Sequence, residues 1–382
     1  MIKRYCHSYI LTDLNKKMVF IGGARQCGKT TFANEIIKDY PYKKDKTGIY
    51  FNWDDDEDRF RIRKREWGDQ HELVVFDEIH KFPGWKSWIK GVYDTLGKKH
   101  KFLVTGSARL DVYRKGGDSL MGRYHYWRLH PFTLSEFPKK MKKQEVFTRL
   151  MTVGGFPEPF LDGDEREARR WRKERFDRIL KDDILDLEPL RYIQTLSLFT
   201  DLLRRRVGSL VVLNNLAAEL QVSHKTVQHW LEILEKMYII FVVRPFTKKI
   251  PRAVLKPPKV YFYDNADVIG DEGARFENLV ATTLLKRINF QEDYEGFRYE
   301  LCYIRDKEGR EVDFAVVKER EVEELIEVKY SDPDISKPLQ YYSEKLAPKR
   351  SLQIVANIKR PYSKGKLKVV HPFESLIDSP WN

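Results

Sequence analysis

One stretch limits the folds open to this chain more than any other. Gly23-Ala24-Arg25-Gln26-Cys27-Gly28-Lys29-Thr30 follows an apolar run at 18–21 and leads into residues 30–39, which have helical spacing. A strand that passes into a helix through so many small residues makes a tight loop whose backbone N–H groups converge, which is a phosphate cradle. The spacing G-x-x-x-x-G-K-[ST] in that context predicts a nucleotide pocket built on a parallel sheet. Gly23 and Gly28 let the backbone approach the phosphates, Lys29 reaches the β- and γ-phosphates, and Thr30, followed by Thr31, ligates Mg²⁺. ATP with Mg²⁺ is the expected ligand. Cys27 sits at a variable position of the loop and is read as structural.

Further strands are expected at 48–53, 73–76 and 102–105, alternating with helical stretches, so residues 1–143 are read as an α/β core with a mostly parallel sheet. The strand at 73–76 ends in Asp77-Glu78. Asp77 is expected to hold Mg²⁺ through water and Glu78 to polarise the attacking water, and two acids there favour hydrolysis over mere binding. The strand at 102–105 is expected beside it, placing Ser107 as a γ-phosphate sensor. Arg109 and Arg123 are candidates for a transition-state arginine, Arg123 acting in cis or, in a homo-oligomer, in trans; a structural ion pair is the competing reading of Arg123. The acidic run 54–58 reads as a surface loop.

Residues 144–206 read as a helical connecting region, with 165–183 as an exposed helix because charges of both signs crowd it. In 207–272, a helix at 213–220, a turn at Gln221-Val222-Ser223 and a second helix capped by Ser223 precede strands at 239–243 and 260–263, which predicts a winged helix-turn-helix. Its second helix offers His224, Lys225, Gln228 and His229. An ordinary helical hairpin beside a ribbon is the alternative. Charge supports an acidic partner: Lys and Arg number 70 against 57 Asp and Glu. Residues 244–259 hold six bases and no acid, among them Lys248, Lys249 and Arg252, and residues 345–371 hold eight bases and no acid. Such runs suit DNA, duplex or branched, although charge alone does not separate nucleic acid from an acidic membrane surface. The longest apolar run, 238–243, is too short to cross a membrane. With no N-terminal apolar core and three cysteines without paired spacing, neither a secreted disulfide scaffold nor a zinc site is indicated, and a cytoplasmic protein is expected.

Residues 273–382 open with a helix at 274–288 and continue as strands at 301–304, 312–317 and 324–328. Glu327 and Lys329, two apart on a strand, share a face, and Asp313 on the neighbouring strand can join Glu327 in holding Mg²⁺ or Mn²⁺ through hard oxygens. Lys329 would then position water at a scissile phosphate. This is the D-(x)n-E-x-K arrangement of the restriction-endonuclease-like superfamily, whose first-helix acid corresponds to Glu277; Gln340 is a candidate auxiliary group. A buried salt-bridge network in a nuclease-like fold that cuts nothing is the competing reading.

The P-loop, Phe76-Asp77-Glu78-Ile79-His80-Lys81, Thr105-Gly106-Ser107, Gly122-Arg123-Tyr124, Leu129-His130-Pro131-Phe132 and Glu136-Phe137 resemble a large prokaryotic family of AAA+-like P-loop ATPases. That resemblance implies a winged helix and a C-terminal PD-(D/E)xK module, similar to restriction endonucleases and Holliday-junction resolvases. The expected function is an ATP-hydrolysing, DNA-binding protein with a fused Mg²⁺-dependent nuclease, acting in DNA repair or recombination or on branched DNA. The alternative is an ATP-driven DNA- or protein-binding switch with an inactive nuclease-like domain.

Overall fold

The computed structural model describes residues 2–106, 120–137, 140–184, 193–247 and 256–376. The chain forms two compact units, residues 1–130 and 131–380. None of the described helices is long and apolar enough to cross a membrane.

The first unit is a sheet of five parallel strands: β1 (Met18–Gly23), β2 (Thr47–Asn52), β3 (His71–Asp77), β4 (Lys101–Thr105) and β5 (Tyr124–Leu129), in the order β2-β3-β4-β1-β5. β1 is buried along its whole length, which is why it reads as an unbroken apolar run rather than an alternating one. Alternate residues of neighbouring strands, Met18 and Phe20, Val74 and Phe76, Phe102 and Val104, pack into one core. Phe76 lies between Phe51 and Phe102, with centroids 6.0 Å from each. Such pairs add about 0.5–1.5 kcal/mol beyond the area they bury. Four strands were expected here; β5 is the fifth, masked in the sequence by its alternating polar residues. The acidic run 54–58 serves as a helix start: Asp55 accepts from Asp58 N at 2.9 Å and caps the helix Asp56–Lys64.

The regular elements of the second unit as far as residue 236 are, among the described residues, helices. Glu165–Ile179 is not simply an exposed connector, since Ala168, Trp171, Phe176 and Ile179 are buried and the Arg175 guanidinium lies 4.0 Å over the Phe156 ring. Residues 131–137 fall within this unit, where Glu136 pairs with the fully buried Lys286. The helices Leu213–Glu219 and His224–Lys236, the second capped by Ser223, lead into the hairpin of β6 (Ile240–Pro245) and β7 (Lys259–Phe262). The helix Glu272–Glu295 follows, then β8 (Tyr299–Arg305), β9 (Glu311–Lys318), β10 (Glu321–Lys329), the helix Lys337–Leu346, β11 (Arg350–Val355), β12 (Tyr362–Lys364) and β13 (Leu367–Val370). These strands form one sheet in the order β12-β13-β11-β10-β9-β8-β6-β7. The hairpin expected to stand out as a wing is thus joined to the C-terminal sheet, Arg244 beside Cys302 and Pro245 beside Tyr303.

Candidate functional site

The nucleotide loop leaves β1 at its C-terminal end, between β4 and β5, where strand order reverses and open α/β sheets bind ligands. Gly23 (φ 145°) could not be replaced freely, because a Cβ there would lie 2.3 Å from the Leu129 carbonyl. Gly28 (φ 91°) turns the loop into the helix Lys29–Asp39. Lys29 is buried and folds back over the loop, donating to the Ala24 carbonyl at 2.7 Å and the Gly23 carbonyl at 3.2 Å. Arg4, which sequence reasoning passed over, donates to the Cys27 carbonyl at 3.1 Å and to the His130 carbonyl, tying the loop to the end of β5. Cys27 itself is buried.

Thr30 and Asp77 meet directly: Thr30 Oγ1 donates to Asp77 Oδ2 at 2.5 Å. Tyr50 donates to the same oxygen at 2.7 Å, and Thr105 donates to Oδ1. Neither Tyr50 nor Thr105 was singled out as a site residue, though both sit on strands flanking Asp77 and carry a hydroxyl. Burial and the Asp77 charge push the Tyr50 phenol upward, so it stays a donor. A hydroxyl and a carboxylate converging below a phosphate-binding loop are the hard oxygens that Mg²⁺ selects, and these residues fit Mg²⁺–ATP. Bound there, the ion would neutralise charge developing on the phosphates. Glu78 follows at φ 55°, a left-handed conformation costly for glutamate and common at functional positions. Its N–H is held by the Thr105 carbonyl at 3.0 Å, and Lys81 and His80 lie 3.6 Å from its carboxylate. Burial raises its pKa, giving a carboxylate better suited to taking a proton from water.

Arg123 does not belong to this pocket in its own subunit. It precedes β5 beside Met18, at the opposite end of β1 from Gly23, and five residue steps along a strand span about 16 Å. Its guanidinium pairs with Asp94 at 2.7 Å and 3.2 Å, so a finger acting in cis is replaced by a surface ion pair. Ser107, Arg109, Lys248, Lys249 and Arg252 lie outside the described residues.

The second unit brings Glu277, Asp313, Glu327 and Lys329 into one cluster. Asp313 is held by the Val328 N–H at 2.9 Å, and Glu327, which follows the paired Ile326 on β10, pairs with Lys329 at 2.9 Å. Two further residues, missed in the sequence, complete it. Lys259, on β7, reaches Glu311 at 2.7 Å and Glu277 and Asp313 at 3.6 Å each. Tyr261, two residues on and so on the same face, donates to Glu277 at 2.6 Å. Lys259 was counted in the basic run 244–259, yet it is 2% exposed. Its position at the head of a buried strand was the available signal. Gly208 (φ 72°) backs onto the cluster, since a Cβ there would lie 2.8 Å from both Glu277 oxygens. Four carboxylates here face Lys259, Lys329 and Arg305, the last on Glu311 at 2.7 Å. Burial, reinforced by the Asp313 charge, raises Glu277 and lifts Glu327 to about 7.

The metal shell expected from Glu277, Asp313 and Glu327 does not fit this arrangement. Among the described residues no three His, Cys, Asp or Glu side chains group to hold an ion, and an ammonium stands among these acids. Gln340 is exposed and donates to Glu344 along its own helix at 3.4 Å, away from the cluster. The helix His224–Lys236 buries Val227, Trp230 and Leu231 and exposes His224, Lys225, Gln228 and His229. In the basic run 345–371, Lys359, Arg360, Lys364, Lys366 and Lys368 are exposed, the last three around the β12–β13 hairpin at the sheet edge.

Residues 15–138 match the model of an AAA domain, 144–266 that of a domain of unknown function (DUF8612), and 272–376 that of another (DUF4143). An uncharacterized protein of Mycobacterium bovis and one of Mycobacterium tuberculosis are each 23% identical over 249 residues, 65% of this chain and 54% of theirs. This chain therefore spans about half the length of the curated relatives it matches. Among solved structures, a Pif1 helicase from work on unwinding of forked dsDNA is 13% identical over 42% of this chain and 51% of its own, with a TM-score of 0.23. A DNA replication initiation factor is 18% identical over 60% of this chain and 86% of its own (TM-score 0.26). Cdc6p from Pyrobaculum aerophilum is 15% identical over 78% and 96% (TM-score 0.28). Overlays this loose leave the assignment to the AAA domain match and to the pocket's own geometry, which together make residues 15–138 an AAA-type P-loop ATPase domain.

Proposed function

We propose that this protein is an ATP-driven DNA-binding switch, in which the N-terminal domain hydrolyses ATP and the second unit grips DNA through a winged helix and a basic sheet edge. The observation that carries the reading is Asp77, oriented by Thr30, Tyr50 and Thr105 and followed by a Glu78 whose pKa is raised. That set supports hydrolysis: Lys29 leaves the loop carbonyls for the phosphates, Thr30 and Asp77 hold Mg²⁺, and Glu78 takes the proton of the attacking water. DNA as the partner is supported by the exposed polar turn of the helix His224–Lys236 and by the exposed bases around β12–β13. The C-terminal acids then form a charge network inside a nuclease-like fold.

A Mg²⁺- or Mn²⁺-dependent nuclease is the second reading, favoured by the convergence of Glu277, Asp313, Glu327 and Lys329 on one spot. One experiment separates the two: duplex, single-stranded, forked and four-way DNA incubated with the protein, with and without ATP and each metal. The switch reading expects DNA affinity that changes with nucleotide and no cleavage. Neutralising Lys364, Lys366 and Lys368 should lower the slope of log affinity against log salt by about 0.9 per lost duplex contact. Cleavage that disappears with Asp313→Ala would establish the nuclease; DNA affinity indifferent to ATP would refute the switch.

A further inference from the structure

We propose that Lys259 is a built-in cation standing where a divalent metal would stand, so that Glu277, Asp313 and Glu327 form a latent metal site that its ammonium keeps closed. The proposal deepens the switch reading and rests on it for the silence of the module.

Three observations carry it. The first is position: Lys259 Nζ lies 2.7 Å from Glu311 and 3.6 Å from both Glu277 and Asp313, on the acids that a hard cation would bridge. An ammonium is a compact point charge with three donors, so it can face three carboxylates at once. The second is permanence. Lys259 is 2% exposed, begins a strand that is buried throughout, and shares its face with Tyr261, which holds Glu277 in place. A side chain rooted in a sheet cannot swing aside as a surface lysine can. The third is a ligand already engaged: Glu327 is 4% exposed, and its Oε1 pairs with Lys329 at 2.9 Å rather than standing free for an ion. A divalent ion entering now would meet a like charge in a poorly solvated place, and Glu277 and Asp313 are already turned toward Lys259 while Glu327 pairs with Lys329.

The test is metal binding rather than cleavage. The full chain carrying Lys29→Ala, without nucleotide, removes the other Mg²⁺ site from view, and Mn²⁺ is titrated by the loss of its free-ion resonance signal. Protein retaining Lys259 should bind Mn²⁺ no better than an Asp313→Asn control. Adding Lys259→Met should tighten binding at least about 100-fold, the scale expected on removing a like charge about 4 Å from an ion, and Asp313→Asn should abolish that gain. Lys259→Met removes the cation that faces three acids and could fail to fold, so Lys259→Met with Glu311→Gln is measured beside it; it removes the nearest acid and keeps Glu277, Asp313 and Glu327. Thermal melts should show Mn²⁺ stabilising the Lys259 variants and not the parent. Tight Mn²⁺ binding by the Lys259 protein that is lost with Asp313→Asn would overturn the proposal, as would a folded double variant that binds none. The switch reading fails differently, through metal-dependent DNA cleavage by the wild-type protein.

Discussion

Each unit contains a buried lysine close to buried carboxylates, and the two sites treat the charge in opposite ways. In the N-terminal pocket, Lys29 donates to neutral carbonyls of its own loop, while Asp77 is held by three hydroxyls that orient it without cancelling its charge. Both charges are poised for a ligand. In the C-terminal cluster, Lys259 faces Glu277, Glu311 and Asp313 directly, and Lys329 faces Glu327. There the charges satisfy one another. Proximity of acids and a lysine therefore says little about chemistry until the partner of each charge is known.

The largest effects should come from the poised site. Lys29→Ala should reduce ATP turnover by about 100-fold or more, and Glu78→Gln should keep nucleotide binding while slowing hydrolysis about 10²- to 10⁴-fold. Because Glu78 accepts a proton only when ionised, and burial raises its pKa, kcat should fall with acidification at a higher pH than an ordinary glutamate would impose. A Glu78→Gln enzyme with wild-type turnover would remove the water-activating role.

A smaller effect tests how Asp77 is oriented. Tyr50→Phe and Thr105→Val each delete one hydroxyl donor, worth about 1 kcal/mol, and should weaken Mg²⁺–ATP binding several-fold in equilibrium titrations. Unchanged affinity in both would mean that Thr30 alone orients the carboxylate.

Smaller again is a pH effect on the self-satisfied cluster. Glu327, lifted to about 7 by burial and by Asp313, is preferentially protonated in the folded state. Stability gained from that preference is full below the pKa of an unfolded glutamate and is lost as pH rises through about 7. Denaturant melts at about pH 6 and about pH 8 should show this loss, and Glu327→Gln should flatten it. A wild-type profile as flat as the variant's would show the carboxylate to be compensated at all pH values.

The smallest expected effect is none. Arg123→Ala should leave kcat and nucleotide affinity unchanged, because its guanidinium pairs with Asp94 at the end of β1 remote from the loop. A fall in kcat that depends on protein concentration would instead place Arg123 at a neighbouring subunit's nucleotide.

What the sequence determined by itself is what consecutive residues accomplish. The P-loop needs its glycines, lysine and threonine within a few positions of one another between a strand and a helix, so it was legible before any contact was known. The same holds for the acid pair ending β3, the Ser223 cap, and the shared face of Glu327 and Lys329, each set by a local period or a local turn. The tertiary structure decided everything that depends on which strands are neighbours and in what register. Asp77 gains Tyr50 from β2 and Thr105 from β4, Arg123 falls at the wrong end of β5, and Glu136 meets a buried Lys286 far along the chain. Lys259 is the clearest case. Within the sequence it closes a basic run, and 52 positions separate it from Glu311. Only the joining of the β6–β7 hairpin to the C-terminal sheet turns it inward, since a one-residue change of register reverses the face on which every side chain of a strand emerges.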